Sequence, residues 1–126
     1  IGSNAEYFTL KGRIDRIDRA QNGTLEIVDY KTGASKAGKL TAEDKEQLLL
    51  YQLAAEQTMG EKVDSLTYQY LDDGSKASFV GSPDDLEKLK SRMFETISDI
   101  GKSDFRATPG WSCQFCDFRD ICEFRQ

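Results

Sequence analysis

The sequence predicts an α/β fold, a mixed sheet of about four or five strands with helices packed on it. Three observations predict it. Residues 12–31 have the alternation and turn chemistry of a β-hairpin. A long capped helix follows over residues 41–59, and a further strand pair and a second helix come after it. The 126 residues, 38% hydrophobic and 31% charged, are enough for one core and too few for two.

The elements follow in order. Ile1 to Ala5, with Ser3-Asn4-Ala5, read as an expression-tag remnant, and a core over residues 6–104 precedes a cysteine-rich tail over 105–126. The abrupt start of the core suits an excised C-terminal piece of a longer protein. The first strand is expected from Tyr7 to Asp18, bent at Gly12. Gln21-Asn22-Gly23-Thr24 turns the chain, because Asn and Gly accept positive φ at low cost. Leu25 to Lys31 is the second strand. Thr32 to Ala42 is a Gly-, Ser- and Lys-rich loop, in which Lys36 and Lys39 either meet a nucleic-acid backbone or are simply solvated. It lacks the order of a phosphate-binding Walker loop.

Thr41 caps the long helix, with Asp44 closing a capping box and Gly60 ending it after Met59. Leu48 to Ala55 is apolar on most sides, so this helix is expected to be largely buried. Val63 to Leu71 is a strand with Leu66, Tyr68 and Tyr70 on one face. Asp72-Asp73-Gly74-Ser75 is a turn whose acids are structural, and Lys76 to Val80 returns. Ser82 and Pro83 open the last helix, Asp84 and Asp85 favour its first turn, and Gly101 is expected to stop it.

Chemistry concentrates in the hairpin. Residues two apart on a strand share a face, so Asp29 and Lys31 point one way and Tyr30 the other. With Asp15 beside them, two carboxylates, the Tyr30 carbonyl and an ammonium converge. That is a hard oxygen site for Mg²⁺ or Mn²⁺, with a lysine to orient water or offset charge on a phosphate. Asp15 and Asp29 also fit two surface residues on neighbouring strands, and Asp-x-Lys alone is a weak signal. Arg16 is the better arginine for a phosphate contact, and Arg19 reads as solvated. No histidine is present, which excludes His catalysis and His ligation. The formal net charge of −5 disfavours strong autonomous DNA binding.

Gly12-Arg13-Ile14-Asp15, then Asp29-Tyr30-Lys31, then Gln47-Leu48-Leu49-Leu50-Tyr51 resembles the PD-(D/E)XK nuclease superfamily, and more narrowly its RecB-type domains. The resemblance implies a restriction-endonuclease-like core lacking its N-terminal helix. It implies Asp15, Asp29 and the Tyr30 carbonyl on the ion, Lys31 on the attacking water, and Gln47 and Tyr51 in support. Without the family, Tyr51 reads as a core residue. The family's further His or Glu from an upstream helix has no counterpart here.

The tail carries Cys113, Cys116 and Cys122 as Cys-x2-Cys-x5-Cys, a spacing suited to thiolate metal ligation but one ligand short. Trp111, Phe115 and Phe118 either shield the sulfurs or pack the tail. The cysteines resemble the AddB-like branch, which implies a [4Fe–4S] cluster completed by an upstream cysteine, with Zn²⁺ the alternative. The implied function is a metal-dependent DNA exonuclease domain of an intracellular, nucleoid-associated helicase–nuclease in repair and recombination, with DNA and a helicase as partners. The second reading is a non-catalytic DNA-binding or scaffold module braced by its metal clip.

Overall fold

The structure of the protein is a computed structural model that describes residues 8–34 and 39–126. The tag-like segment 1–5, Tyr7 and Lys36 lie outside the described residues. The elements are β1 (Arg16–Arg19), β2 (Leu25–Lys31), α1 (Ala42–Met59), β3 (Val63–Tyr70), β4 (Lys76–Phe79), α2 (Pro83–Lys102) and a short 3₁₀ turn at Trp111–Phe115. The chain forms two compact units, the first ending at Arg92 and the second running from Met93 to Gln126.

The first unit is a four-stranded mixed sheet in the order β1-β2-β3-β4. β1 and β2 form an antiparallel hairpin in which Arg16 faces Val28 and Arg19 faces Leu25. Its turn forms as the residues dictate. Gly23 has φ 85°, and the Asn22 carboxamide oxygen accepts from the Thr24 amide at 3.1 Å and its hydroxyl at 2.7 Å. β2 and β3 are parallel, so a crossover must join them, and α1 is that crossover. β4 returns antiparallel to β3.

α1 starts and stops where its residues place the signals. Thr41 Oγ1 accepts from the Asp44 amide at 3.1 Å, and Asp44 Oδ2 accepts from the Thr41 amide at 2.9 Å. Gly60 closes the helix in the left-handed region at φ 66°. The core lies between α1 and one face of the sheet, built by Leu25, Ile27, Leu48, Ala55, Val63, Leu66 and Tyr68. The expectation that α1 is largely buried is corrected. Leu48, Gln52, Leu53 and Ala55 are buried, whereas Ala54 and the last turn are exposed. A single sheet face covers a single helix face, so the extra leucines sit at the flanks.

Two boundaries also differ. The first strand is only Arg16–Arg19, and the described residues 8–15 have no regular strand structure. In an antiparallel ladder the Tyr30 amide would meet a main-chain carbonyl beyond Arg16. It donates instead to the Asp15 carboxylate at 3.1 Å, and this side-chain substitution takes the place of further pairing. α2 runs through Gly101 to Lys102, because a helical glycine costs only about 1 kcal/mol relative to alanine.

Gln52 ties α1 to the chain after β4. Its Oε1 accepts from the Gly81 amide at 3.0 Å and its Nε2 donates to the Gly81 carbonyl at 3.1 Å. The backbone at Gly81 passes close to α1: a Cβ there would stand 2.3 Å from Leu49 Cδ2 and 2.8 Å from Gln52 Oε1, so the ends of both side chains would have to move. The turn Asp72–Ser75 is structural as expected, with Asp73 Oδ1 accepting from the Ser75 amide at 2.9 Å.

Candidate active site

The site grows from the alternation of β2. Leu25 and Ile27 point into the core, and the same face continues as Asp29 and Lys31. The strand face therefore changes from apolar to charged at its C-terminal end, beside the crossover. Ends of parallel strands are where α/β sheets offer their clefts. Asp29 is 5% exposed, and a carboxylate so buried needs a charge partner. Lys31 supplies it, with Nζ 3.1 Å from Asp29 Oδ2.

α1 contributes the next layer. Lys31 Nζ donates to Gln47 Oε1 at 3.1 Å, and Gln47 Nε2 donates to the Tyr51 hydroxyl at 3.0 Å. Gln47 and Tyr51 are one helical turn apart, so both reach the same spot. The lysine has only donors, which fixes the carboxamide with its oxygen toward β2. Gly12 closes the circle: a Cβ built there would lie 3.6 Å from Tyr51 Cε1, so the backbone of the Gly12–Asp15 segment passes beside that ring.

Asp15 immediately precedes Arg16, whose ladder partner Val28 adjoins Asp29. Asp15 Oδ2 is bonded to the Tyr30 amide. A strand residue presents its N–H and C=O to the same side, so the Tyr30 carbonyl faces the Asp15 side as well. The structure links Asp29, Lys31, Gln47 and Tyr51 in one run of contacts and bonds Asp15 to the Tyr30 amide between Asp29 and Lys31. The Tyr30 side chain points to the opposite face, where its hydroxyl accepts from Arg16 Nη1 at 3.1 Å.

Arg16 is otherwise engaged than expected for a phosphate contact. Its guanidinium pairs with Asp18 at 2.7 Å, and Asp18 first, then Tyr30, raise its proton affinity further. Arg19 pairs with Glu61.

One neighbour escaped sequence reasoning as a site residue. Tyr68 of β3 lies in register with Asp29 and is fully buried. Its hydroxyl donates to the Asp44 carbonyl at 2.5 Å and stands 3.3 Å from Gln47 Oε1. Lys31 Nζ lies 5.0 Å from its ring centroid. Burial, then the charges of Asp29 and Asp44, push its phenol above the ordinary tyrosine value. Alternation marks Tyr68 as facing α1, but only the strand register reveals which acid stands beside it.

The donor set suits a hard divalent cation, with two carboxylates and a carbonyl and the remaining positions left to water or phosphate oxygens. Among the described residues, no three His, Cys, Asp or Glu side chains are gathered to hold a metal. That applies to the hairpin, where the candidate acids are Asp15 and Asp29, and to the tail, where Cys113, Cys116 and Cys122 carry free thiols. Trp111, Phe115 and Phe118 are mostly exposed, so they do not shroud the sulfurs. The Gly110 amide, then the Gln126 backbone, lower the proton affinity of the Cys113 thiol. No helix among the described residues is long and apolar enough to cross a membrane.

Fold and site together define an α/β domain with an acid–acid–lysine cluster at a strand end. The sequence profile of the PD-(D/E)XK nuclease superfamily matches residues 2–123. The chain belongs to that superfamily, whose members are usually nucleases and generally use divalent metals such as Mg²⁺. Among solved structures, "Crystal structure of SSO0001" is similar in fold, with a TM-score of 0.58 and 24% identity. That match covers 100% of this chain, which spans only 57% of the other protein. A search of curated proteins finds no significant match.

Proposed function

We propose that this domain is a Mg²⁺- or Mn²⁺-dependent deoxyribonuclease, an exonuclease acting on DNA ends. The reading is carried by one observation. Lys31 Nζ is held between Asp29 and Gln47 at 3.1 Å each, in a chain of a nuclease superfamily. Asp15, Asp29 and the Tyr30 carbonyl would hold the ion. When bound, it would supply Lewis-acid polarisation of the phosphate and acidify a bound water. Lys31 positions the attacking water and offsets negative charge on the phosphate oxygens. Gln47 fixes the ammonium, and Tyr51 fixes Gln47.

The wider reading is that the domain belongs to a RecB/AddB-like helicase–nuclease in DNA repair and recombination, intracellular and associated with the nucleoid. Its partners are DNA and a helicase domain or subunit. The motif order supports this reading, and the cysteine spacing narrows it to the AddB-like branch. Cys113, Cys116 and Cys122 are three thiolates for a [4Fe–4S] centre, with Zn²⁺ the alternative, and a fourth ligand from elsewhere in the parent protein.

Two measurements test the nuclease reading. Mn²⁺ soaked into crystals should give an anomalous peak between Asp15, Asp29 and the Tyr30 carbonyl. Lys31→Ala should lower Mn²⁺-dependent cleavage of linear DNA by about 10²- to 10³-fold while DNA retention persists. Unchanged cleavage in that variant would remove lysine from the mechanism.

A further inference from the structure

We propose that Tyr68 is a positioning residue of the site, setting the ammonium of Lys31 from two directions; this rests on the reading of Lys31 as the group that meets the attacking water. The first direction is through α1. The Tyr68 hydroxyl has one hydrogen and two oxygens in reach, the Asp44 carbonyl at 2.5 Å and Gln47 Oε1 at 3.3 Å. Asp44 lies in the first turn of α1, one turn before Gln47. A bond from β3 to that carbonyl fixes the height of the turn on the sheet, and the longer limb holds the Gln47 carboxamide itself. Gln47 Oε1 then presents its remaining lone pair to Lys31.

The second direction is through the ring. Lys31 Nζ lies 5.0 Å from the Tyr68 ring centroid, within the range where a π face attracts an ammonium. The register places Tyr68 directly beside Asp29. The carboxylate, the ring and the carboxamide therefore leave the lysine little rotamer freedom. Tyr68 itself is fully buried, so it acts on the lysine and its glutamine rather than on substrate.

A core tyrosine with no such role would also be buried and bonded to a helix carbonyl. The two cases differ in what the hydroxyl does for Gln47. Tyr68→Phe keeps the ring and removes the hydroxyl, and Tyr68→Leu removes both. With the full chain, linear DNA and Mn²⁺, Tyr68→Phe should lower kcat about 10-fold and Tyr68→Leu about 100-fold, the usual span for residues that orient others at a metal site. KM should stay within two-fold, since neither variant touches DNA. On a Gln47→Ala background the Tyr68→Phe loss should shrink to under two-fold, because the carboxamide it positions is gone.

A readout independent of cleavage is exchange of the Gln47 side-chain amide hydrogens with solvent, followed by NMR. Tyr68→Phe should accelerate it several-fold. If Lys31→Ala abolishes cleavage while Tyr68→Phe keeps wild-type kcat, the role of Tyr68 is overturned and the nuclease reading stands. Fully additive losses in the double variant, or unchanged Gln47 exchange, also overturn it. If Lys31→Ala leaves cleavage unchanged, the nuclease reading fails, and the exchange measurement still decides whether Tyr68 holds Gln47.

Discussion

Replacing Gln52 by Leu should destabilise the first unit by about 2 kcal/mol, although the change keeps the volume and adds apolar surface. Gln52 is 2% exposed on the core side of α1. Its carboxamide completes a two-bond ring with the Gly81 backbone, at 3.0 and 3.1 Å, and Nε2 also reaches Glu56 at 3.2 Å. Leucine leaves the Gly81 N–H and C=O without these partners. A buried group left unsatisfied costs about 1–3 kcal/mol. Gly81 is only half-buried, so water recovers part of that for each group, and the gain in apolar burial offsets a further fraction. The remainder, about 2 kcal/mol, is a large share of the 5–15 kcal/mol typical of a domain. Urea unfolding at fixed temperature, followed by far-UV circular dichroism, gives the number directly. A loss below roughly 0.5 kcal/mol, the ordinary range for surface changes, would refute the reasoning. It would mean that Gly81 finds its partners in water and that α1 is not held through Gln52.

Further outcomes follow from the same geometry. Asp15→Asn keeps an acceptor for the Tyr30 amide, so unfolding free energy should change by less than about 1 kcal/mol while Mn²⁺ affinity falls at least about 10-fold; unchanged affinity by calorimetry would take Asp15 out of the metal site. Tyr68, raised above the ordinary value of 10.0, stabilises the fold fully below that pH and loses this contribution as pH rises through its folded-state value. Stability should therefore decline above about pH 10, and Tyr68→Phe should flatten that limb; an identical limb in the variant would exclude Tyr68 as its source. Asp85 is lowered from 3.8, first by the Ser82 amide and then by the Ser82 hydroxyl, so its cap is intact above that value and is lost as pH falls through the depressed one. The Ser82 amide shift should titrate below pH 3.8, and a midpoint at or above it would show the cap is not formed in solution.

Local chemistry was legible wherever a few adjacent residues settle the outcome. Thr41 with Asp44, Gly60, and Asn22 with Gly23 each satisfy or redirect their own backbone, and each feature forms where the sequence places it. Period two in Leu25–Lys31 separates Asp29 and Lys31 from Tyr30 without reference to the rest of the chain. What escaped depends on long-range register. A crossover of 18 helical residues does not itself fix which residue of β3 meets Asp29, and the ladder shifts between Leu25 and Glu26. Tyr68 was therefore visible as a face but not as a neighbour. The length of β1 was missed because the Asp15 side chain does what a main-chain carbonyl would do. Gln52 falls within the mostly apolar Leu48–Ala55 stretch, and its partner lies 29 residues away.

The site also breaks the pattern that the fold alone would favour. β2 is apolar on the α1 side at Leu25 and Ile27, and a third aliphatic residue at position 29 would extend the core with no charge to compensate. Asp29 instead places a carboxylate in a nearly dry position, where an ion costs several kcal/mol before its partners are counted. Lys31 offsets the charge, Gln47 satisfies the lysine, and Tyr51 and Tyr68 hold the glutamine. Each member needs the next, and of them only Tyr68 belongs to the hydrophobic core with Leu48 and Leu66. A chain of compensations that ends at a strand terminus, beside a second carboxylate, is the arrangement expected where charge has to be held for chemistry rather than for stability.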